Sequence, residues 1–305
     1  LNITPATPNR QIAEIMIKLE DLVVEIGKPD LLLVPGDVNS TLAGALFANK
    51  NGIPLGHLEA GLRSFDRTMP EEFNRILTDD MSDLFFVTEP SGLRHLKSEN
   101  KDEGSIHYVG NTMIDTMVAF EKEIEASAIL NELNVSEGEF VLMTMHRPAT
   151  VDSREELDKL LLLIEFINRT YKVVFPIHPR TIKNAKEFGL YDRIEANSNL
   201  MCTEPLDYFS FQKLVKTCAF VLTDSGGIQE ESTFRKKPCL TLRPNTERPI
   251  TTDIGTNTLL PFDIMEVGKL IEQIEKGNYK KGRVPELWDG KATERILEVV
   301  SQSIK

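Results

Sequence analysis

The sequence predicts an α/β protein with two doubly wound parallel sheets in tandem, each covered by helices on both faces. Strand-like apolar runs alternate with helix-like runs along nearly the whole chain, which is typical of parallel sheets with helical crossovers. At 305 residues the chain is long enough for two domains. Since open α/β sheets bind ligands at the carboxyl ends of their strands, the residues at those ends are the first candidates for function.

The strand-like runs fall into two series, each followed by helix-like segments. The first series comprises "DLLLVPGD" (30–37), "IPLGHLEAG" (53–61), "LFFVT" (84–88) and "IHYVGN" (106–111). The second comprises "EFVLMTMH" (139–146), "KVVFPIH" (172–178), "NLMCTEP" (199–205), "FVLTDSGG" (220–227) and "PCLTLR" (238–243).

A charged helical segment separates the two series, and we place the domain boundary there. The predicted organisation is an N-terminal Rossmann-like domain over 1–118, a connecting helix over 119–135, a C-terminal Rossmann-like domain over 136–285, and a final helix over 286–305 that packs back toward the first domain.

The composition excludes several classes of partner. The net charge of −12 argues against nucleic acid and anionic membranes, since both require a basic surface. The chain has no apolar run of membrane-spanning length and its start lacks the features of a signal peptide, so we expect a cytoplasmic protein. Cys202, Cys218 and Cys239 each lie in an apolar stretch without CxxC spacing, which predicts reduced core cysteines.

The stretch "FVLTDSGGIQEES" (220–232) is a strand that ends in a glycine pair and continues as a helix. A helix that begins at Ser225, Gly226 and Gly227 directs free backbone N–H groups at one point, where a phosphate would bind. The alternative is a tight turn in which Ser225 only caps the helix. This stretch alone leaves both interpretations open.

The first half has carboxylates at strand ends and helix starts. Asp37 follows the first strand, Glu59 follows the second, and Glu71 and Glu72 open the next helix. Such groups can act as general acid and base where burial separates their pKa values. The helix dipole alone would explain Glu71 and Glu72, whereas Glu59, at a strand end before a glycine turn, favours function.

The second half has two histidines followed by basic residues at strand ends. His146 with Arg147, and His178 with Arg180, could donate to a diphosphate near the glycine turn, although each histidine alone could be a polar end-cap. The five histidines show no zinc spacing, and the chain has no Walker motif and no GxGxxG, which disfavours ATP and NAD.

Several polar residues have two equally plausible interpretations. Asn74, Arg75, Glu230 and Glu231 occupy helix positions that could face a ligand or solvent, and Glu247 with Arg248 could clamp a loop or contact substrate. These candidates stay open on the sequence alone.

A set of motifs, in order along the chain, resembles one enzyme family. The segments "GDVNSTLAGALFA", "GHLEAGLRSFDRTMPEEFNR", "VGNTMID", "MHRPATVD", "TDSGGIQEES" and "NTERP" are similar to those of the non-hydrolysing UDP-N-acetylglucosamine 2-epimerases. The resemblance covers essentially the whole chain. It implies two Rossmann-like domains facing a cleft, as in GT-B glycosyltransferases, with a UDP-sugar in that cleft, usually in a homodimer.

The reaction implied by the resemblance interconverts UDP-N-acetylglucosamine and UDP-N-acetylmannosamine without a cofactor or metal, for polysaccharide biosynthesis. UDP is eliminated across C1 and C2 to give 2-acetamidoglucal and is then added back with the opposite configuration at C2. This chemistry requires acid and base groups at C2 and stabilisation of the departing diphosphate.

The resemblance also implies roles for individual residues. Its catalytic set is Asp37, Glu59, Glu71 and His146. Its UDP-sugar-binding set is Ser225, Gly226, Gly227, Glu231, Arg248, Arg147, His178, Arg63 and Phe211. Which carboxylate removes the proton and which returns it is not determined by spacing.

The chain departs from the family pattern at three places. Many members have "HRxEN" where this chain has "HRPATVD", and "TERPE" where it has Ile250. Both changes remove polar groups from a regulatory UDP-sugar site found in bacterial members. The chain also starts after the family's first strand and "GTRPE" loop, so we expect that the family's N-terminal segment, roughly two βα units, is missing.

Two other functions are compatible with these motifs. A hydrolysing relative would release UDP and N-acetylmannosamine, and an inactive UDP-sugar binder would bind UDP without turnover.

Overall fold

The computed structural model describes residues 1–4 and 6–303, with the side chains of Pro148 and Ala149 outside the description. The chain divides into two compact units. Unit 1 comprises Leu1–Asp115 and Glu286–Lys305, and unit 2 comprises Thr116–Pro285.

Unit 1 contains a four-stranded parallel sheet in the order β1-β2-β3-β4. Its strands are β1 (Leu32–Pro35), β2 (Leu55–Leu58), β3 (Leu84–Val87) and β4 (Ile106–Tyr108). Its helices are α1 (Pro8–Ile26), α2 (Asn39–Asn51), α3 (Pro70–Met81), α4 (Pro90–Ser98), the 3-10 helix η1 (Glu103–Ser105), the start of α5 (Thr112–Ala119) and α16 (Ala292–Ser303).

The C-terminal segment belongs to unit 1. Trp288 is buried and its Nε1 donates to the Thr88 carbonyl at 3.0 Å. The carboxylate of Asp115 accepts the backbone N–H groups of Ala292 and Thr293, which fixes the first turn of α16. Ile296 of this helix packs against Phe86 of the sheet.

Unit 2 contains a six-stranded parallel sheet in the order β10-β9-β8-β5-β6-β7. Its strands are β5 (Phe140–Thr144), β6 (Lys172–Pro176), β7 (Leu200–Thr203), β8 (Phe220–Thr223), β9 (Cys239–Leu242) and β10 (Asn257–Leu260). Its helices, after the end of α5, are α6 (Glu121–Ala126), α7 (Ile129–Glu132), α8 (Pro148–Val151), α9 (Arg154–Ile167), α10 (Pro179–Glu187), α11 (Tyr191–Glu195), α12 (Tyr208–Thr217), α13 (Gly227–Phe234), α14 (Pro249–Asp253) and α15 (Ile264–Glu275).

The strand order of unit 2 is that of a Rossmann fold. The chain adds strands outward on one side of β5 and then returns to start again at β8 on the other side. The direction of winding therefore reverses between β5 and β8, and open α/β sheets bind their ligands outside the carboxyl ends of such a strand pair.

The core of unit 2 lies on both faces of its sheet. Val141 and Met143 of β5 pack into one apolar cluster, while Phe140 and Leu142 pack into another on the opposite face. Consecutive strand residues point to opposite faces, so a strand covered on both sides is apolar throughout. The fold class predicted from the sequence is confirmed.

Three sequence expectations need correction. The predicted connecting helix over 119–135 contains two short helices, α6 and α7, because Ser127 has extended backbone angles between them. β10 was not predicted, since this edge strand starts with the polar pair Asn257 and Thr258. Cys218 and Cys239 are buried as expected, but Cys202 is exposed because β7 is the edge strand at the other end of the sheet.

None of the helices in the described part of the chain combines the length and the hydropathy needed to span a lipid bilayer.

Candidate functional site

In unit 1 the candidate carboxylate Asp37 is held by helix α3. Asp37 follows β1 directly, and its Oδ2 lies 2.5 Å from Nη2 of Arg75, a buried residue of α3. The side-chain amide of Asn74 donates to the Asp37 carbonyl at 2.8 Å. Two neighbouring residues of α3 therefore fix both the backbone and the carboxylate of Asp37.

Glu59 and Asp37 follow two adjacent parallel strands, β2 and β1. Pro35 pairs with Leu58, and the next backbone N–H, that of Gly36, donates to the Leu58 carbonyl at 3.0 Å. A Cβ on Gly36 would lie 3.8 Å from Oε1 of Glu59. The two strand-end turns thus bring Glu59 close to the backbone that carries Asp37.

Glu59 has an unusual backbone conformation. Its φ is +69°, a left-handed angle that costs a residue with a Cβ on the order of 1 kcal/mol. Such angles persist where the surroundings enforce them, and they are enriched in functional sites. The strained angle adds a second reason, besides the position at a strand end, to assign Glu59 a function.

The two acidic residues that open α3 have different environments. Glu72 is buried, and its carboxylate accepts N–H groups of Ser64 and Phe65 and the Ser64 hydroxyl, at 2.8–2.9 Å. Glu71 is half-buried, and within the described residues its carboxylate forms no hydrogen bond. Glu72 therefore holds the loop after β2 in place, whereas Glu71 remains a candidate for the acid–base role.

Arg63 lies in the interior of unit 1. Its Nη2 is 2.7 Å from Oδ2 of Asp79, its Nε and Nη2 donate to the Glu99 carboxylate, and its Nη1 donates to the Leu62 carbonyl. The side chain is 1% exposed, so every guanidinium nitrogen is used inside the unit. This geometry supports a positioning role in place of the UDP-sugar contact predicted from the sequence.

In unit 2 the carboxyl ends of β5 and β8 are joined by one buried carboxylate. Oδ2 of Asp224, directly after β8, accepts the backbone N–H groups of His146 and Arg147 at 3.0 and 2.9 Å, and Thr150 Oγ1 lies 3.3 Å away. The strands are in register, with Thr144 opposite Thr223. Asp224 therefore sets the path of the chain after β5 at the point where the winding reverses.

Asp224 also lies beside the candidate catalytic histidine. Its Oδ1 lies 3.0 Å from Nδ1 of His146, whose side chain is 52% exposed. This carboxylate raises the pKa of His146 above its ordinary value, against a smaller opposite effect of burial. With Nδ1 facing the carboxylate, Nε2 is the nitrogen directed away from it and can exchange a proton or bind an anion.

The Ser225-Gly226-Gly227 turn connects β8 to α13, as the sequence predicts. The helix runs Gly227–Phe234 with Gly226 as its N-cap, and no side chain of the described residues caps it. The Ser225 side chain therefore does not cap the helix, and the interpretation of this segment as a tight turn stays open. The first N–H groups of a helix have no partner within the helix, so the uncapped turn suits an anion.

Gly226 is required because two side chains approach it closely. A Cβ at this position would lie 2.5 Å from Oε1 of Glu247 and 2.9 Å from Nη1 of Arg248. Arg248 pairs with Glu247 and with Glu230 of α13, both at 2.5 Å. The loop clamp suggested by the sequence therefore exists, and it holds the Arg248 guanidinium directly against the glycine turn.

Glu231 is a buried carboxylate in the second turn of α13. Its Oε2 has no hydrogen-bond partner among the described residues, and burial raises the pKa of Glu231 to about 7. The buried Gln212 of α12, whose two side-chain polar atoms also lack a partner of hydrogen-bond geometry there, lies beside Glu231 and lowers its pKa against the larger effect of burial. Buried polar atoms without partners are unfavourable, so this region suits a ligand that supplies hydroxyl or amide groups.

The other predicted contacts lie on the same unit. His178 is exposed at the N-cap of α10, and its Nδ1 accepts the Arg180 N–H at 3.1 Å, which places the proton of the neutral ring on Nε2. Phe211 of α12 is partly buried against the second apolar cluster.

Of the departures from the family pattern, Ile250 is buried in α14, and the Ala149 side chain lies outside the described residues.

Three residues of these sites were not predicted from the sequence. Asp224 precedes Ser225 in the "TDSGG" segment, and its position at a strand end was the available signal. His57 and Asp79 form a buried pair at 2.6 Å beneath the carboxylates of unit 1, and their separation of 22 residues leaves no sequence signal. In the described part of the chain no group of three or more His, Cys, Asp or Glu residues could hold a metal ion.

Comparison with known proteins gives consistent matches along the chain. A family model described as UDP-N-acetylglucosamine 2-epimerase matches residues 1–301. The chain is 39% identical over 309 residues to the UDP-N-acetylglucosamine 2-epimerase of Methanocaldococcus jannaschii, covering 99% of this chain and 83% of that protein. It is 36% identical over 263 residues to a UDP-2,3-diacetamido-2,3-dideoxy-D-glucuronate 2-epimerase of Pseudomonas aeruginosa, covering 85% and 71%.

The fold matches as well. The crystal structure of the Methanocaldococcus jannaschii epimerase in complex with UDP-GlcNAc and UDP superposes with a TM-score of 0.86 at 38% identity, covering 99% of this chain and 83% of that one. The two parallel sheets are thus those of two Rossmann-like domains of the GT-B-like kind.

Proposed function

Because the chain belongs to the UDP-N-acetylglucosamine 2-epimerase family and is therefore an isomerase, we propose that it interconverts UDP-N-acetylglucosamine and UDP-N-acetylmannosamine. The proposed route is the non-hydrolysing one. A base removes the C2 proton, the C1–O bond breaks as UDP leaves, and 2-acetamidoglucal forms. UDP then adds back to C1 while an acid delivers a proton to the opposite face of C2.

The observation that carries this proposal is the placement of Asp37 and Glu59 at the ends of two adjacent parallel strands. Proton removal from one face of C2 and return to the other needs two groups, which a pair of neighbouring carboxylates provides. Arg75 fixes Asp37, and the left-handed angle of Glu59 indicates that its position is enforced. Glu71, without a hydrogen bond in the described residues, is the third candidate.

Unit 2 supplies the groups for UDP. We assign the diphosphate to the Ser225-Gly226-Gly227 turn and to Arg248, whose guanidinium is clamped against that turn. His146 stabilises the leaving diphosphate, because the raised pKa keeps its imidazolium form available. Glu231, with an unpartnered buried oxygen, accepts hydrogen bonds from the ribose hydroxyls.

Three further contacts remain proposals. Arg147, His178 and Phe211 are assigned to UDP-sugar binding on the basis of the family resemblance. Arg63 is assigned to positioning, because all its guanidinium nitrogens are used within unit 1.

We also propose a cytoplasmic homodimer, for which light scattering would give twice the 34.4 kDa of the chain.

A proton NMR time course in D2O with UDP-N-acetylglucosamine tests the proposed reaction. We expect UDP-N-acetylmannosamine to accumulate with deuterium at C2, because C2 loses its proton to an exchangeable group. Free N-acetylmannosamine with UDP would show instead a hydrolysing enzyme, and UDP binding without turnover would show an inactive binder.

A parallel time course tests which UDP-sugar the enzyme prefers. The diacetamido glucuronate substrate named for the Pseudomonas aeruginosa relative serves as the competing UDP-sugar. Faster turnover of that compound would contradict UDP-N-acetylglucosamine as the preferred substrate.

A further inference from the structure

His57 of β2 has a hydrogen-bond acceptor at each ring nitrogen. Its side chain is fully buried, with Nδ1 2.6 Å from Oδ1 of Asp79 and Nε2 2.8 Å from the Gly36 carbonyl. A neutral imidazole carries one N–H and one lone pair, so one nitrogen would face an acceptor without a proton. Only the doubly protonated ring satisfies both contacts.

The charges around the ring favour the same form. The second oxygen of Asp79 takes the Gly61 N–H at 3.1 Å and the Arg63 guanidinium at 2.7 Å, and Arg63 also pairs with Glu99. Glu99 is exposed, whereas Arg63 and Asp79 are buried. The Asp79 carboxylate, in direct contact with Nδ1, and the Glu59 carboxylate both stabilise the protonated ring.

The charged groups that face His57 come from three elements. Asp79 is on α3, Glu59 is two residues further along its own strand segment, and Arg63 lies behind Asp79 in the loop after β2. Burial lowers the pKa of His57, but Asp79, the Gly36 carbonyl and Glu59 together raise it above the ordinary value.

The contacts of His57 link the two carboxylates assigned to proton transfer. Gly36 directly precedes Asp37, and the Glu59 carboxylate lies against Gly36, 3.8 Å from where its Cβ would be. The Asp79 end of the link is on α3, the helix that holds Asp37 through Arg75. The hydrogen bond from His57 therefore holds the Gly36 backbone, which directly precedes Asp37 and lies next to the Glu59 carboxylate.

We propose that His57 is a positioning residue that stays protonated throughout the reaction and, as an imidazolium bridge from Asp79 to the Gly36 carbonyl, fixes the geometry of Asp37 and Glu59. The role in catalysis rests on the proposed function. The protonation state does not, so each part can fail separately.

Nitrogen-15 NMR of the histidine-labelled protein tests the protonation state without any assay of activity. We expect both ring nitrogens of His57 to show the protonated chemical shift, unchanged as the pH rises through about 6.5, where a free histidine loses its charge. His107, whose pKa burial lowers, is the internal control and should show a neutral ring at neutral pH. A single unprotonated nitrogen in His57 would overturn the proposal.

Two variants test the positioning role. His57→Gln can donate to Asp79 or to Gly36 but not bridge both, so kcat should fall by about 100-fold with little change in KM. An unchanged kcat would contradict the role.

Asp79→Asn should lower the pKa of His57, so that the ring of this variant loses its proton as the pH rises. We therefore expect kcat of the variant to fall in a pH range where kcat of the wild type stays constant. Asp80→Asn is the matched control, since Asp80 is exposed and pairs only with Lys101 among the contacts of the described residues. Identical pH profiles for Asp79→Asn and the wild type would refute the bridge.

Discussion

Arg75 and Asp37 form an ion pair at 2.5 Å that joins the third helix of unit 1 to the end of its first strand. The same guanidinium lies 3.1 Å from Glu72, which fastens the loop after β2. Through these contacts the position of Asp37 depends on how α3 packs, and α3 also carries Glu71 in its first turn. Asp37 and Glu71, two of the three carboxylates proposed for acid–base chemistry, therefore both depend on this helix.

Asp37→Asn should abolish turnover while UDP still binds. The amide keeps the shape but cannot exchange the C2 proton, so we expect kcat to fall by about 10²–10⁴-fold. Kinetics and calorimetric titration with UDP measure the two effects. Asp30→Asn, at the exposed start of the same strand segment, is the control. Equal loss of UDP affinity would contradict the assignment of UDP binding to unit 2.

Gly226→Ala should weaken UDP binding. Its Cβ would overlap Glu247 and approach Arg248, which displaces the guanidinium held against the turn. We expect the affinity for UDP to fall by about tenfold or more. Gly104→Ala, in the exposed η1, makes the same change beside the flexible end of Asp102 and should bind UDP normally. Normal affinity in the Gly226 variant would exclude the phosphate role of this turn.

Asp224→Asn should shift the pH dependence of catalysis. The carboxylate raises the pKa of His146, so its removal lowers that pKa and the imidazolium disappears at a lower pH. The alkaline limb of the kcat profile should move toward acid relative to the wild type. Asp192→Asn, exposed on α11 in the same unit, should leave the profile in place. An unmoved limb in the Asp224 variant would show that His146 does not act as an imidazolium.

UDP binding near neutral pH should release protons. Burial raises the pKa of Glu231 to about 7, so the unliganded carboxyl is partly protonated, and ribose hydroxyls would favour its ionised form. Titration calorimetry in buffers with different ionisation enthalpies measures the release, and Glu231→Gln should remove it. Proton uptake, or release that survives in Glu231→Gln, would contradict the ribose assignment.

Asp79→Ala should be strongly destabilising. It leaves the buried His57 without a carboxylate partner and leaves Arg63 with Glu99 alone, for which we expect a loss of about 3–5 kcal/mol in the free energy of unfolding measured with urea. Asp80→Ala removes an exposed ion pair and should cost no more than about 1 kcal/mol. Similar midpoints for the two variants would show that the buried cluster contributes little.

The pair of His57 and Asp79 makes the free energy of unfolding depend on pH at both high and low pH. The pKa of His57 is raised in the folded state. Its contribution to the free energy of unfolding is therefore complete below pH about 6.5 and is lost as the pH rises through the pKa of the folded state. The pKa of Asp79 is lowered in the folded state. Its contribution to the free energy of unfolding is therefore complete above pH about 3.9 and is lost as the pH falls through the pKa of the folded state. Unfolding measured across this range checks both signs.

The sequence by itself determined the fold class, because buried parallel strands are apolar throughout and their helices repeat with a different period. Nine of the strands coincide with predicted apolar runs, from β1 to β9, while the polar edge strand β10 gave no such pattern. Local motifs also located the strand-end candidates Asp37, Glu59 and His146, because position after a strand is a property of the chain. The same holds for the Ser-Gly-Gly turn.

Only the tertiary structure decided which of these groups are held, buried or available. It separated the buried Glu72 from the half-buried Glu71 one residue earlier, and it showed Arg63 to be fully engaged in the interior. It also brought Asp79 to His57 and Asp224 to His146. Pairs formed between different elements depend on sheet order and helix packing, and a linear pattern contains neither.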